Sequence, residues 1–192
     1  MKKVEHGKTF DRNAANPPAF EIFHNTVTEG YPEHWHTAIE IIMPTRGEYE
    51  VVVGKDSYNL KEGDIIMINS GVVHGMRFVS QGERIVMLVE PGCVENQEEM
   101  ETIFLRLPAI YFKKEDEEDP FYLFLRSQIL ELVREYDNEG AVMTHRICTG
   151  LKELFSEFGR KGFSDANAQN TFGAMKQQEY ICLLYTSDAA DE

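Results

Sequence analysis

The chain has 192 residues, 42% hydrophobic and 27% charged, with a formal net charge of -14, the size and balance of one domain able to bury a sizeable core. Nothing in it resembles a basic stripe that could displace phosphate counterions, which excludes duplex binding through its own surface. Cys93, Cys148 and Cys182 are odd in number and form no CxxC pair, which argues against a disulfide framework or a zinc cluster and fits reduced thiols.

Met1-Lys2-Lys3 is followed by Val4-Glu5-His6-Gly7-Lys8, without the apolar core of a signal peptide, and no later run reaches the length of a membrane span. A cytoplasmic location is expected. Residues 1–18 are polar, end in Asn16-Pro17-Pro18 and read as an arm. Strand-like runs follow at Phe20 to Thr28, Ala38 to Met43, Tyr49 to Val53, Ser57 to Leu60, Ile65 to Ile68, Met76 to Val79 and Arg84 to Glu90. Gly47, Gly54-Lys55-Asp56, Lys61-Glu62-Gly63, Asn69-Ser70-Gly71 and Gln81-Gly82 punctuate them as turns. So many short strands at regular intervals predict a sandwich or barrel over residues 19–92.

After Pro91-Gly92 the period changes. Glu95 to Leu107 can form a helix that ends before Pro108. A second begins near Asp119-Pro120 with Tyr122, Leu125, Ile129, Leu132, Val133 and Tyr136 on one face. A third, from about Ala141 to Phe158, carries Ile147, Leu151, Leu154, Phe155 and Phe158, and Asn138-Glu139-Gly140 is the turn between them. Helices so closely joined should pack antiparallel and cover the barrel or a partner subunit, so residues 93–158 are expected to serve dimerisation. The run Lys113-Lys114-Glu115-Asp116-Glu117-Glu118-Asp119 has no EF-hand spacing and reads as a solvated loop. Residues 159–181 read as a linker and the start of a further helix. The last eleven, CLLYTSDAADE from Cys182 to Glu192, match a translated adapter of short-read sequencing libraries. They are expected to be non-native and are set aside from fold reasoning, with the true sequence after Ile181 absent.

Two motifs carry the chemistry. His34, His36, Glu40 and Gly47 form HxHxxxExxxxxxG, and Gly63, Asn69, Gly71 and His74 form GxxxxxNxGxxH. Side chains alternate along a strand, so His34, His36 and Glu40 share a parity and should project together, with His74 arriving from a neighbouring strand. Three imidazoles and a carboxylate are ligand types for a first-row divalent metal. Trp35 lies between the two histidines. An indole can stack on a sugar face, whereas strand alternation would turn it outward under a helix. Tyr49, Glu50 and Arg46 either line a pocket mouth or face solvent. His6, His24 and His145 have no partner at ligand spacing.

These motifs resemble those of the cupin superfamily, with Asn69 where the family has Pro and Phe78 at a position usually Asn. The resemblance implies an α+β fold: an antiparallel β-barrel (a double-stranded β-helix or jelly roll) followed here by a C-terminal helical hairpin. It places His34, His36, Glu40 and His74 on the cupin metal-ligand positions and Gly47, Gly63 and Gly71 on its turn glycines. The segment from Tyr31 to Phe78, with "IEIIMPTRGEYEVVVG", "LKEGDIIMI" and "NSGVVHGMRF", also looks like the N-terminal effector-binding cupin of AraC-type transcription regulators. That likeness implies a non-enzymatic sensing and dimerisation domain, truncated before its helix-turn-helix domain. Its ligand would be a small polar molecule such as a sugar, held by His34, His36, Glu40, His74 and Trp35. It would form a homodimer and meet DNA only through the missing C-terminal domain, with no membrane partner. No cofactor is required on this reading, a divalent transition metal on His34, His36, Glu40 and His74 being the optional one. The alternative is a stand-alone cupin metalloenzyme, an isomerase or dioxygenase, using the same four residues.

Overall fold

The structure, a computed structural model, describes residues 19–26, 30–93, 108–114, 118–138 and 142–161. The expected arm, the helix at 95–107, the linker beyond Lys161 and the adapter-like tail lie outside the described residues. Among the described residues nine strands are present: β1 Phe20–Asn25, β2 Tyr31–His34, β3 Ile39–Arg46, β4 Tyr49–Val53, β5 Asp56–Leu60, β6 Ile65–Ile68, β7 His74–Phe78, β8 Glu83–Val89 and β9 Ala109–Phe112. Two helices follow, α1 Pro120–Asp137 and α2 Met143–Lys161.

The strands form two antiparallel sheets, ordered β1-β8-β3-β6-β9 and β2-β7-β4-β5. The expected closed barrel is therefore corrected to a two-sheet sandwich. Where β5 and β9 would have to ladder to close it, side chains fill the seam instead. The Tyr111 hydroxyl lies 3.1 Å from the Asn59 carbonyl, and the Tyr58 and Tyr111 rings meet edge to face at 5.6 Å. β9 lies just past the expected helix at 95–107, within residues 93–158, where helices and no strand are expected.

Burial explains the sequence patterning. In the five-stranded sheet, Ile42, Ile66, Ile68, Val86 and Leu88 face the second sheet. Their neighbours Ile41, Ile65, Met67, Ile85 and Met87 pack against the helices from the other side. A sheet covered on both faces has no polar face, which is why "IIMI" and "IVMLV" run unbroken. β4, with solvent behind it, instead alternates, burying Tyr49, Val51 and Val53.

α1 starts where its chemistry directs. The Asp119 carboxylate caps the Phe121 amide at 2.9 Å, and Pro120 occupies the first turn, where no amide donor is needed. α2 runs antiparallel to α1, with Arg146 on Glu135 at 2.8 Å and Gly150 against Leu132. A Cβ at Gly150 would lie 2.9 Å from the Leu132 side chain. The apolar faces Tyr122, Leu125, Ile129 and Leu132, and Ile147, Leu151, Leu154 and Phe155, bury against the five-stranded sheet. Covering that sheet accounts for their amphipathicity.

Asp64 welds the β5–β6 turn to the segment after β9. Its carboxylate accepts from the Lys61 amide at 2.9 Å, the Lys114 amide at 2.8 Å and the Tyr111 hydroxyl at 2.6 Å. Asp64→Ala would strand these donors in a part-buried site and should cost about 3 kcal/mol. Urea unfolding measures it, and a midpoint equal to wild type would contradict the assigned role.

Candidate metal and ligand site

The four motif residues reach one place from both sheets. β2 ends at His34 in the four-stranded sheet, and β3 begins at Ile39 in the five-stranded one. Residues 35–38 cross between them, carrying His36. His34 stands opposite His74 in the β2–β7 pairing, and Glu40 projects from β3 across the gap. The shared parity expected along one strand is thus replaced by a crossover. The convergence itself is as expected, since one ligand atom from each of His34, His36, Glu40 and His74 lies within 4.8 Å of the others.

Turns hold the group in place. Gly47, Gly63 and Gly71 adopt φ of 78°, 88° and 73°, a region in which a side chain is strained. Gly71 donates its amide to the His36 carbonyl at 2.7 Å, tying the second motif to the first.

Hydrogen bonds fix the imidazoles. Nδ1 of His34 bonds the Pro32 carbonyl at 3.0 Å, Nδ1 of His36 the Ala38 carbonyl at 2.8 Å, and Nδ1 of His74 the Val72 carbonyl at 2.7 Å. A carbonyl only accepts, so each Nδ1 carries its proton, and in the neutral ring Nε2 offers a lone pair. His36 Nε2 and His74 Nε2 lie 2.9 and 3.0 Å from the same oxygen, Oε2 of Glu40. Two lone pairs and a carboxylate oxygen need a shared cation or proton between them. Neighbouring donors around a first-row divalent ion sit about 3 Å apart when bond lengths are about 2.1 Å. Backbone carbonyls that orient ligating histidines are the usual outer partners of such sites. Donor types, ring orientation and the 2.9 and 3.0 Å spacings about Oε2 of Glu40 fit a divalent transition metal, while the four ligand atoms together spread up to 4.8 Å, wider than the roughly 4.2 Å that opposite ligands on one ion span, so the group would have to draw in around it. His36, Glu40 and His74 are buried and His34 is half-buried.

Trp35, between the two histidines, points outward and is 47% exposed, neither under a helix nor among the buried group. Glu50 also faces outward, bonded to Ser57 and paired with Arg77. Arg46 pairs with Glu83 at the surface. Tyr49 is buried between the sheets beneath Arg84, whose guanidinium carbon lies 4.8 Å from its ring centroid. Burial pushes the Arg84 guanidinium below its ordinary value and the Tyr49 phenol above, the Arg84 charge opposing the latter. Sequence reading does not single out Arg84. Its signal was a charge two residues before Val86 in an apolar strand, hence on the same face.

Residues 25–90 match the family described as Cupin domain. Fold and motif together make this stretch a cupin domain, built as a sandwich with a His/His/Glu/His cluster at one end. No curated protein matches the chain. Among solved structures it is similar to a conserved protein of unknown function from Streptococcus pyogenes, at 18% identity over 38% of this chain and 63% of that one, TM-score 0.34. It is also similar to a mutant form of Bacillus subtilis oxalate decarboxylase, at 18% identity over 37% and 20% of the two chains, TM-score 0.33. ToxT from Vibrio cholerae aligns at 12% identity over 74% of this chain and 53% of that one, TM-score 0.46. The chain thus spans less than two thirds of the length of each of these proteins. Among the described residues no helix is long and apolar enough to cross a membrane.

Proposed function

We propose that this cupin domain senses a small polar ligand as part of an AraC-type transcription regulator, with His34, His36, Glu40 and His74 as the binding centre. The observation carrying this reading is the double role of β3. It turns Glu40 and Ile42 toward the space between the sheets and Ile39, Ile41 and Met43 toward the helical layer. A ligand that shifts β3 therefore acts on the packing of α1 and α2, and such a change needs different ligand affinity in the two arrangements. DNA contact, which this acidic chain does not supply, belongs to a further domain, and a symmetric homodimer is the expected assembly.

A second reading, a cupin metalloenzyme, is favoured by the metal-ready orientation of the three histidines. His34, His36, Glu40 and His74 would hold the ion, and a bound divalent metal would supply Lewis acidity toward a ligand oxygen. The chain's own part is to keep each Nδ1 protonated against a backbone carbonyl and each Nε2 turned inward.

Elemental analysis of protein purified without a tag should find about one divalent transition metal per chain. None would remove the metal from both readings. For sensing, hydrogen exchange with a bound small molecule should protect amides of α1 and α2 as well as those around His36 and His74. Protection confined to the site would sink the sensor reading, and turnover of that molecule would favour the enzyme.

A further inference from the structure

Arg84 is the feature of the interior that the metal site does not explain. It is 4% exposed, and among the described residues its Nε and Nη1 lack a well-placed acceptor; the hydroxyl of Tyr49, 1% exposed, also lacks a partner of good geometry, although the two side chains are close enough to interact and the guanidinium sits over the Tyr49 ring. Burying a guanidinium without an acceptor is costly, and natural structures ordinarily pair such charges. The acidic groups around it do not meet that need. Glu83 turns outward to Arg46 and His24, and Glu40 stands among the histidines, acting on Arg84 through space without bonding to it.

Its position says what would. Arg84 lies four residues before Leu88, which stands opposite Glu40, so its backbone is roughly 13 Å along the strand from the histidine cluster. Val86 and Leu88 lie between on the same face and keep 7% and 9% of their surface accessible. β8 is flanked by β1 and β3, and both side chains belong to the apolar cluster between the two sheets. The intervening wall, with Ile42 and Val51, is apolar.

We propose that Arg84 and Tyr49 form an anion-binding end of this interior, taking the carboxylate of a small organic acid whose apolar body lies along Val86 and Leu88. The acid supplies the acceptors that Arg84 lacks, and charge-assisted bonds of this kind are about twice as strong as neutral ones. The phenol of Tyr49 donates to the same group. This deepens the reading of the interior as a sensing site and rests on it.

The test is calorimetric titration of the full chain with straight-chain carboxylic acids of four to ten carbons, the matching primary alcohols, a neutral sugar series and inorganic phosphate. Acids should bind at least tenfold more tightly than their alcohols. Arg84→Met should weaken acid binding at least tenfold and Tyr49→Phe several-fold, both with wild-type metal content. Without ligand, Arg84→Met should be as stable as wild type or more so, since it removes an unpaired buried charge; a large loss would make Arg84 structural and overturn the proposal. Independently of that variant, the Arg84 Nε resonance of labelled wild type should move with acid and not with alcohol, and no movement overturns the proposal. Acids failing to bind wild type, alcohols binding equally, or phosphate binding alone also overturn it. Sugars binding where acids do not would leave the sensing reading standing and remove this one.

Discussion

Alanine in place of Gly82 should destabilise the protein by about 3 kcal/mol or more, through overpacking against parts that cannot yield. A Cβ there would overlap the Arg46 carbonyl oxygen and lie 2.9 Å from the Tyr49 hydroxyl. Gly47 faces the same junction, where its Cβ would stand 2.8 Å from the Gln81 carbonyl. The β3–β4 and β7–β8 turns therefore meet backbone to backbone, closing the end of the sandwich occupied by Arg84 and Tyr49. Chemical denaturation reads the loss, and an unchanged midpoint would mean that the two turns are further apart than described.

Divalent metal should raise stability by about 4 kcal/mol at a thousand times its dissociation constant, provided that only the folded state binds it. For a chain of this size that is a rise on the order of 10 °C in the unfolding midpoint. The His36→Ala, His74→Ala double variant should lose the rise, because it removes both ring nitrogens that face Oε2 of Glu40. An equal rise in wild type and variant would place the metal elsewhere.

Much of the sheet structure was legible because turn glycines and β-branched runs fix where strands start and stop. β4 and β6 agree residue for residue with the expected runs. Sheet membership was not legible, since alternation records which residues share a face but not which strands ladder together. β9 escaped because Ala109-Ile110-Tyr111-Phe112 is too short for periodicity to separate strand from helix. The second and third expected helices fell close to α1 and α2, because Asp119-Pro120 and the three-and-four spacing are strong local signals. Their long apolar faces were ambiguous between a sheet and a second copy, and the structure gives the sheet.

At the site, residue types and spacing identified His34, His36, Glu40 and His74 without fixing how they meet. A strand that leaves one sheet and enters the other cannot be seen from parity, which presumes that it stays straight. Arg84 was obscured for a related reason. Its inward direction follows from Val86 and Leu88 only once their face is known to be the interior.

The bond from the Gly71 amide to the His36 carbonyl has a consequence for redesign. It makes the two motifs a single mechanical part, although thirty-odd residues of chain separate them. A residue inserted into the Asn69-Ser70-Gly71 turn would shift His36 as well as His74, so a loop graft there would damage a histidine it never touches in sequence. The spacing within each motif is therefore inherited in pairs: neither can lengthen unless the other moves to meet it.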